Sequence, residues 1–156
     1  MDLPDLPPDI TFPILPHTAE ASDFAFEAKR AAMGPHIAAR WGWDEAFQRD
    51  LHARRFAEKP FFRIDRAGCA LGTLSLQAAP DHVRFGEFYL FPAFQRQGTG
   101  SAILRHCLAL ADRHGLPTRL EYLFWNPVGA LYRRHGFVEV SRSDIHVHLE
   151  RPAAQT

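Results

Sequence analysis

The sequence predicts one mixed α/β domain, a mostly antiparallel central sheet flanked by helices, and three observations carry that prediction. Apolar residues switch several times between period-two and helical spacing, in the order βααβββαβαββ. The run Val83 to Phe91 is apolar on both sides apart from Arg84, Gly86 and Glu87, the pattern of a central strand covered on both faces. A glycine-bearing turn, "QRQGTGS", then leads straight from that run into an amphipathic segment. With 46% apolar and 23% charged residues, the composition argues against disorder, and no apolar run approaches the ~18 residues that span a bilayer.

Taken in order, residues 1–9 read as an extended lead-in because Pro4, Pro7 and Pro8 prevent helix. Ile10 to Pro16 reads as a strand that Pro13 confines to an edge. Ala19 to Met33 has helical spacing, with Thr18 or Ser22 as cap and Phe24, Ala28, Ala31 and Ala32 on one face. Gly34-Pro35 predicts a break, and a second helix starts near Asp44 with Phe47, Leu51 and Phe56 inward. Phe61 to Ile64 and Cys69 to Leu76 read as a hairpin. After the central strand comes a helix carrying Ile103, Leu104, Cys107, Leu108 and Ala111 on one face, stopped by Gly115-Leu116-Pro117. A strand from Thr118, a short helix Pro127 to His135, and two closing strands ("FVEV" and "IHVHLE") complete the domain over 10–151, with 152–156 as a tail.

Eighteen basic residues balance eighteen acidic ones, so there is no electrostatic case for nucleic acid or an anionic membrane as partner. No Lys or Arg precedes Lys29, whereas Asp2, Asp5, Asp9, Glu20, Asp23 and Glu27 do; this is a solvated acidic face or a region that attracts a cation. Cys69 and Cys107 are far apart in apolar patterns, against a disulfide framework or a cysteine metal site. "MDLPDLPPDI" has neither signal- nor transit-peptide character, so the cytoplasm is the expected compartment.

The turn carries the chemistry. A strand entering a helix through glycines points several N–H groups at one spot, where the helix dipole favours an anion. Gly98 and Gly100 permit close approach, and Arg96 can add a charge-assisted bond. No Lys follows Gly100 and Ile occupies position 103, so the Walker and dinucleotide spellings both fail.

Gln95-x-x-Gly98-x-Gly100 resembles the Gln/Arg-x-x-Gly-x-Gly/Ala signature of the GNAT superfamily of acyl-CoA-dependent N-acetyltransferases. A second segment, "NPVGALYRRHGFVEV", is similar to that family's Asn-x-x-Ala-x-x-Leu-Tyr-x-x-x-Gly-Phe, with Asn126, Ala130, Leu131, Tyr132, Gly136 and Phe137 in phase. The resemblance is firm over Phe85 to Val140 and implies the GNAT fold, with a splayed parallel strand pair holding acetyl-CoA. It implies that Arg96, Gln97, Gly98, Thr99, Gly100 and Ser101 grip the pyrophosphate while the carbonyl side of Gln95 shapes the loop. The main chains of Leu90 and Phe91 would pair with the pantetheine arm, and Asn126 would lie beside it, as well as capping the helix that Pro127 opens. Tyr132 takes the place of the family's general acid.

For the base, Glu87 is the candidate, since burial in an apolar strand raises a carboxyl pKa. The alternatives are a salt bridge from Glu87 to Arg84 or Arg119, and Glu121 on the next strand as the base. Acceptor recognition in this fold falls to Met33 to Phe47 and Ser141 to Val147. There Trp41 and Trp43 either flank an amine beside Asp44 and Glu45 or plug the core edge. His146 and His148 share a strand face without a third ligand nearby, so no metal is expected. The implied activity is acetyl transfer from acetyl-CoA to a primary amine by direct attack in a ternary complex. The rival reading is a noncatalytic acyl-CoA-binding module; a homodimer is compatible with either.

Overall fold

The computed structural model describes residues 6–154. Residues 1–5 of the expected lead-in, and 155 and 156 of the tail, lie outside the described residues. The element order is the expected one: β1 Ile10–Thr11, α1 Ala19–Trp41, α2 Glu45–Glu58, β2 Phe62–Arg66, β3 Cys69–Ala78, β4 Val83–Leu90, α3 Thr99–Arg113, β5 Thr118–Leu123, α4 Gly129–Arg134, β6 Val138–Arg142 and β7 His146–Arg151, with a 3₁₀ turn Pro92–Phe94 after β4. The strands follow the order β1-β2-β3-β4-β5-β7-β6, with β4 in the middle as its two-sided apolar pattern requires. The chain gathers into two compact units, Pro8–Ser75 with Glu87–Gln97, and Leu76–Gly86 with the chain from Gly98 onward; β4 contributes a part to each.

The first unit holds α1, α2, β1, β2 and β3 as far as Ser75. Thr18 caps α1 by accepting from the Ala21 N–H at 3.2 Å, and Asp44 caps α2 through the Phe47 N–H at 3.1 Å. The predicted break at Gly34-Pro35 does not occur, because α1 runs through Pro35 to Trp41. Pro35 removes one helical hydrogen bond, but continuing buries Ile37 to 4% exposure on the turn beyond it. The buried face of α1 is Ala21, Ala25, Phe26, Ala28, Lys29, Gly34 and Ile37; of the expected face, Ala28 is fully buried and Phe24 packs against the core, while Ala31 and Ala32 are half-buried. On α2 the buried residues are Gln48, His52 and Phe56, while Phe47 is 56% exposed and Leu51 half-buried. Phe56 packs with Phe61, Leu15, Ala21 and Ala25.

Pro13 shortens the first strand to two residues, leaving a single further bridge, Ile14↔Phe62. The end of the lead-in is tied down here. Asp9 accepts from the Ala67 N–H through its carbonyl (3.2 Å) and from Arg66 Nε through its carboxylate (3.2 Å). The hairpin β2–β3 is antiparallel, with a register shift at Ile64/Asp65. Gly72 on β3 lies so close to β4 that a β-carbon there would overlap the Tyr89 carbonyl oxygen and approach Leu90 Cα to 2.9 Å.

In the second unit β4 and β5 run parallel, registered at Val83↔Thr118 and Arg84↔Arg119. β5 pairs antiparallel with β7 from Thr118↔Arg151 to Leu123↔His146, and β6 closes the edge against β7. Phe85, Ile103, Leu104, Val147 and Leu149 are each at most 2% exposed and form its core.

Candidate active site

The predicted residues fall in three places. The turn after β4 contains Gln95 to Ser101. Gln95 Nε2 donates to the Leu90 carbonyl at 2.8 Å and Gln97 Nε2 to the Ala93 carbonyl at 3.0 Å, so both glutamines brace the loop. For Gln95 it is the amide N–H, rather than the expected carbonyl side, that does this. Arg96 and Gly98 adopt positive φ, 62° and 79°, which turns the chain sharply enough for Thr99 to open α3. Gly98 occupies the N-cap position but offers no side chain, no other side chain among the described residues caps α3, and its first turn carries no acidic residue. The N–H groups of Thr99, Gly100 and Ser101 thus precede the first helical bond, Ala102 N–H to the Gly98 carbonyl at 3.1 Å. Thr99 is buried, Gly100 and Ser101 are half-buried, and Arg96 is exposed.

At the end of β4 the Phe91 N–H donates to the Leu71 carbonyl at 2.9 Å, so that group faces β3 and is already used. Leu90 carries its carbonyl to Gln95.

The second place is α4. Asn126 Oδ1 accepts from the Val128 N–H at 3.0 Å and stabilises the Pro127-Val128 turn, while the helix proper begins at Gly129 rather than Pro127. Gly129 seats α4 on β5, since a β-carbon there would lie 2.5 Å from the Tyr122 hydroxyl oxygen. Tyr132 is buried, ringed by Phe137, Tyr122 and Phe85 at centroid distances of 5.8, 6.2 and 6.5 Å. Burial pushes its phenol well above the ordinary tyrosine range, so Tyr132 is a neutral hydroxyl at any physiological pH.

Glu87, in the first unit, is the third. Its backbone has φ 47°, a left-handed conformation unusual for a non-glycine residue, and the Glu87 carbonyl accepts from Thr73 Oγ1 at 2.9 Å. Its side chain is 5% exposed and meets Lys59 Nζ at 3.3 Å and Arg55 at 3.7 Å. The anticipated partners are engaged elsewhere, Arg84 with Glu121 at 3.7 Å and Arg119 with Glu150 at 2.7 Å. Burial pushes the Glu87 carboxyl up, as expected, but Lys59, Arg55 and Lys29 together outweigh it and hold the group below the ordinary glutamate range. Burial therefore does not make Glu87 a raised-pKa base; three cations make it a firmly ionised carboxylate. Glu121, the alternative base, is taken up by Arg84 and by His148 Nδ1 at 3.4 Å.

Lys29 is the functional candidate that sequence reasoning missed. It is 5% exposed, and burial with Arg55 beside it brings its ammonium down to about 8. The signal was present: Lys29 follows Ala25 by four residues, on the face α1 buries.

The acceptor segment Met33 to Phe47 is the end of α1, a short connection and the first turn of α2, bordering an open groove of about 640 Å³ walled by Gly34, Pro35, Ala38 and Trp43. Trp43 donates from Nε1 to Glu45 at 3.0 Å and packs on Phe26 at 6.1 Å, whereas Trp41 is 51% exposed. Glu45 is not available to an amine, because Arg30 holds both its oxygens (2.9 and 2.6 Å) and Arg49 adds a third bond. Asp9, Asp23 and Glu27 likewise pair with Arg66, Arg49 and Arg30, so these three acidic residues are neutralised locally, while Asp2 and Asp5 lie outside the described residues. Cys107 is buried, its thiol pushed up to about 12, which disfavours an acyl-cysteine route. Among the described residues no His/Cys/Asp/Glu group is placed to hold a metal ion, and no helix is long and apolar enough to cross a membrane.

The acetyltransferase (GNAT) domain family matches residues 57–139, more than half of the chain. The chain belongs to the GNAT acetyltransferases. It is therefore an acetyltransferase with an acyl-CoA donor. The fold agrees with solved GNAT structures at low identity. The ribosomal-protein-S18-alanine N-acetyltransferase of Escherichia coli is 19% identical with TM-score 0.66, covering 94% of this chain and 96% of that one. The PaiA N-acetyltransferase of Thermoplasma acidophilum, solved in complex with coenzyme A, is 15% identical with TM-score 0.70, covering 91% and 99%. An acetyltransferase from Thermus thermophilus is 18% identical with TM-score 0.66, covering 91% and 97%. No curated protein sequence matches.

Proposed function

We propose that residues 10–151 form an N-acetyltransferase domain that moves an acetyl group from acetyl-CoA to a primary amine by direct attack in a ternary complex. The observation that carries this reading is the uncapped start of α3, where Gly98 supplies a left-handed turn and no capping side chain. Arg96 to Ser101 then offer N–H groups, a guanidinium and the helix dipole to the donor's pyrophosphate. The main chain of Leu90, at the end of β4, lies against the pantetheine arm, with Asn126 beside it. The Phe91 N–H is bonded to the Leu71 carbonyl and its carbonyl accepts from the Phe94 N–H at 2.9 Å, so a main-chain contact from Phe91 would use the second lone pair of that carbonyl.

The amine must first lose a proton, which for a lysine-like amine of pKa ~10.4 costs about 4–5 kcal/mol at pH 7. Glu87 takes up that proton and passes it to solvent; its low proton affinity suits it to relay rather than to storage. The free amine attacks the thioester carbonyl, the C–N bond forms, the C–S bond breaks, and the electron pair leaves on sulfur. Tyr132 donates a hydrogen bond to that thiolate. Its hydroxyl is less acidic than a thiol of pKa ~8.5, so it stabilises the leaving group while solvent supplies the final proton.

Thiol release from acetyl-CoA with a broad amine panel tests this, comparing wild type with Tyr132→Phe. The variant should lose about 10²-fold in kcat at unchanged CoA affinity. CoA binding without thiol release for any amine would refute acetyl transfer, and an unaltered kcat would remove Tyr132 from the chemistry.

A further inference from the structure

Inside the first unit, α1 and α2 aim three cations at one carboxylate. Arg55 and Lys59, one turn apart on and just after α2, meet Glu87 at 3.7 and 3.3 Å, with side chains 26% and 20% exposed. Lys29 reaches the same cluster from α1 and feels Glu87, Arg55 and Lys59, yet its ammonium forms no hydrogen bond or close ion pair among the described residues. His52 completes the lining without adding charge. It is buried, its Nε2–H donates to the Ser22 carbonyl at 3.0 Å, and burial lowers its pKa, so it is neutral. Glu87 offsets one of the three positive charges. Lys29 is buried and the other two cations half-buried, so this excess is poorly solvated in an empty fold and is balanced when an anion occupies it.

We propose that Lys29, Arg55 and Lys59 bind a small anionic group, carboxylate or phosphate, carried by the acceptor, so that the acceptor is an amine with an anion a few bonds away. Glu87 then faces the acceptor's ammonium while the cations face its anion, a zwitterionic match that a polyamine does not make. This rests on the acetyl-transfer reading for the word acceptor, but the anion site itself is testable apart from turnover.

The turnover arm compares β-alanine with its carboxamide, and phosphoethanolamine with ethanolamine. The anionic member of at least one pair should have the higher kcat/KM by about tenfold or more, mainly through KM. The larger ratio identifies carboxylate or phosphate. Lys29→Met and Lys59→Gln should bring the ratios toward one, a comparison within each variant that is unaffected by any general change in its turnover. The binding arm titrates N-acetyl-β-alanine and its carboxamide, and N-acetylphosphoethanolamine and N-acetylethanolamine, into the CoA-loaded protein by calorimetry. Binding of an anionic member tighter by about tenfold or more, lost in Lys29→Met, supports the site even if no panel amine is turned over; that result would refute only the acetyl-transfer reading. Ratios near one in both arms, or ratios unchanged in both variants, overturn the proposal.

Discussion

Replacing Lys29 with methionine should stabilise the protein, and the gain should fade as pH rises. Burial and Arg55 lower the Lys29 ammonium from 10.5 to about 8. At ~1.36 kcal/mol per unit this is about 3 kcal/mol of destabilisation, present whenever both folded and unfolded chains carry the proton. Between about pH 8 and 10.5 the unfolded chain binds more protons than the native one, so wild-type stability rises with pH through that window. Methionine has no proton to bind, and common groups that do not feel Lys29 cancel in the difference. The stability gap between Lys29→Met and wild type should therefore be about 3 kcal/mol larger at pH 7 than at high alkalinity, falling to about 1 kcal/mol of that component by pH 10. Urea unfolding of both proteins at pH 7, 8, 9 and 10 measures it. A gap that stays constant across this range would refute the cost assigned to the charge, because packing of the methionine side chain is independent of pH. If the variant were less stable at pH 7, Lys29 would be a net stabilising partner of Glu87 and the excess of positive charge would not be a burden on the empty fold.

Two further outcomes follow from the packing. Gly72→Ala should cost at least about 3 kcal/mol in urea unfolding, since its β-carbon meets the backbone of Tyr89 and Leu90 rather than a movable side chain; a loss under about 1 kcal/mol would show that β3 can shift. In the native protein at pH 8 a thiol reagent should modify one cysteine per chain, exposed Cys69, with buried Cys107 reacting only after denaturation. Modification of Cys107 under native conditions would mean that α3 opens readily.

Much of the fold was legible because its signals are local. Alternation along Phe61 to Leu76 and helical spacing from Ala102 to Ala111 yielded the correct element order, since each depends on which face of a segment is buried. The two motifs located the turn at Gly98 and the tyrosine at 132 for the same reason, being continuous stretches of chain. Breaks were less legible. Gly34-Pro35 has the local chemistry of a helix end, yet burial of Ile37 one turn later outweighs it. Phe47 looked like a core residue, but the orientation of α2 buries Gln48 and His52 instead.

The sequence by itself determined the family, the element order and the donor, because glycine spacing, capping and periodicity are properties of contiguous residues. Only the tertiary structure decided the character of Glu87. In the sequence it is a lone carboxylate in an apolar strand, and isolated burial would raise its pKa. Folding brings Lys29 from one helix and Arg55 and Lys59 from another to within its field, and Coulomb attraction at a few ångströms in a poorly solvated interior exceeds the desolvation cost. Lys59, Arg55 and Lys29 are 28, 32 and 58 positions away from Glu87 in the chain, and no local pattern relates them to it.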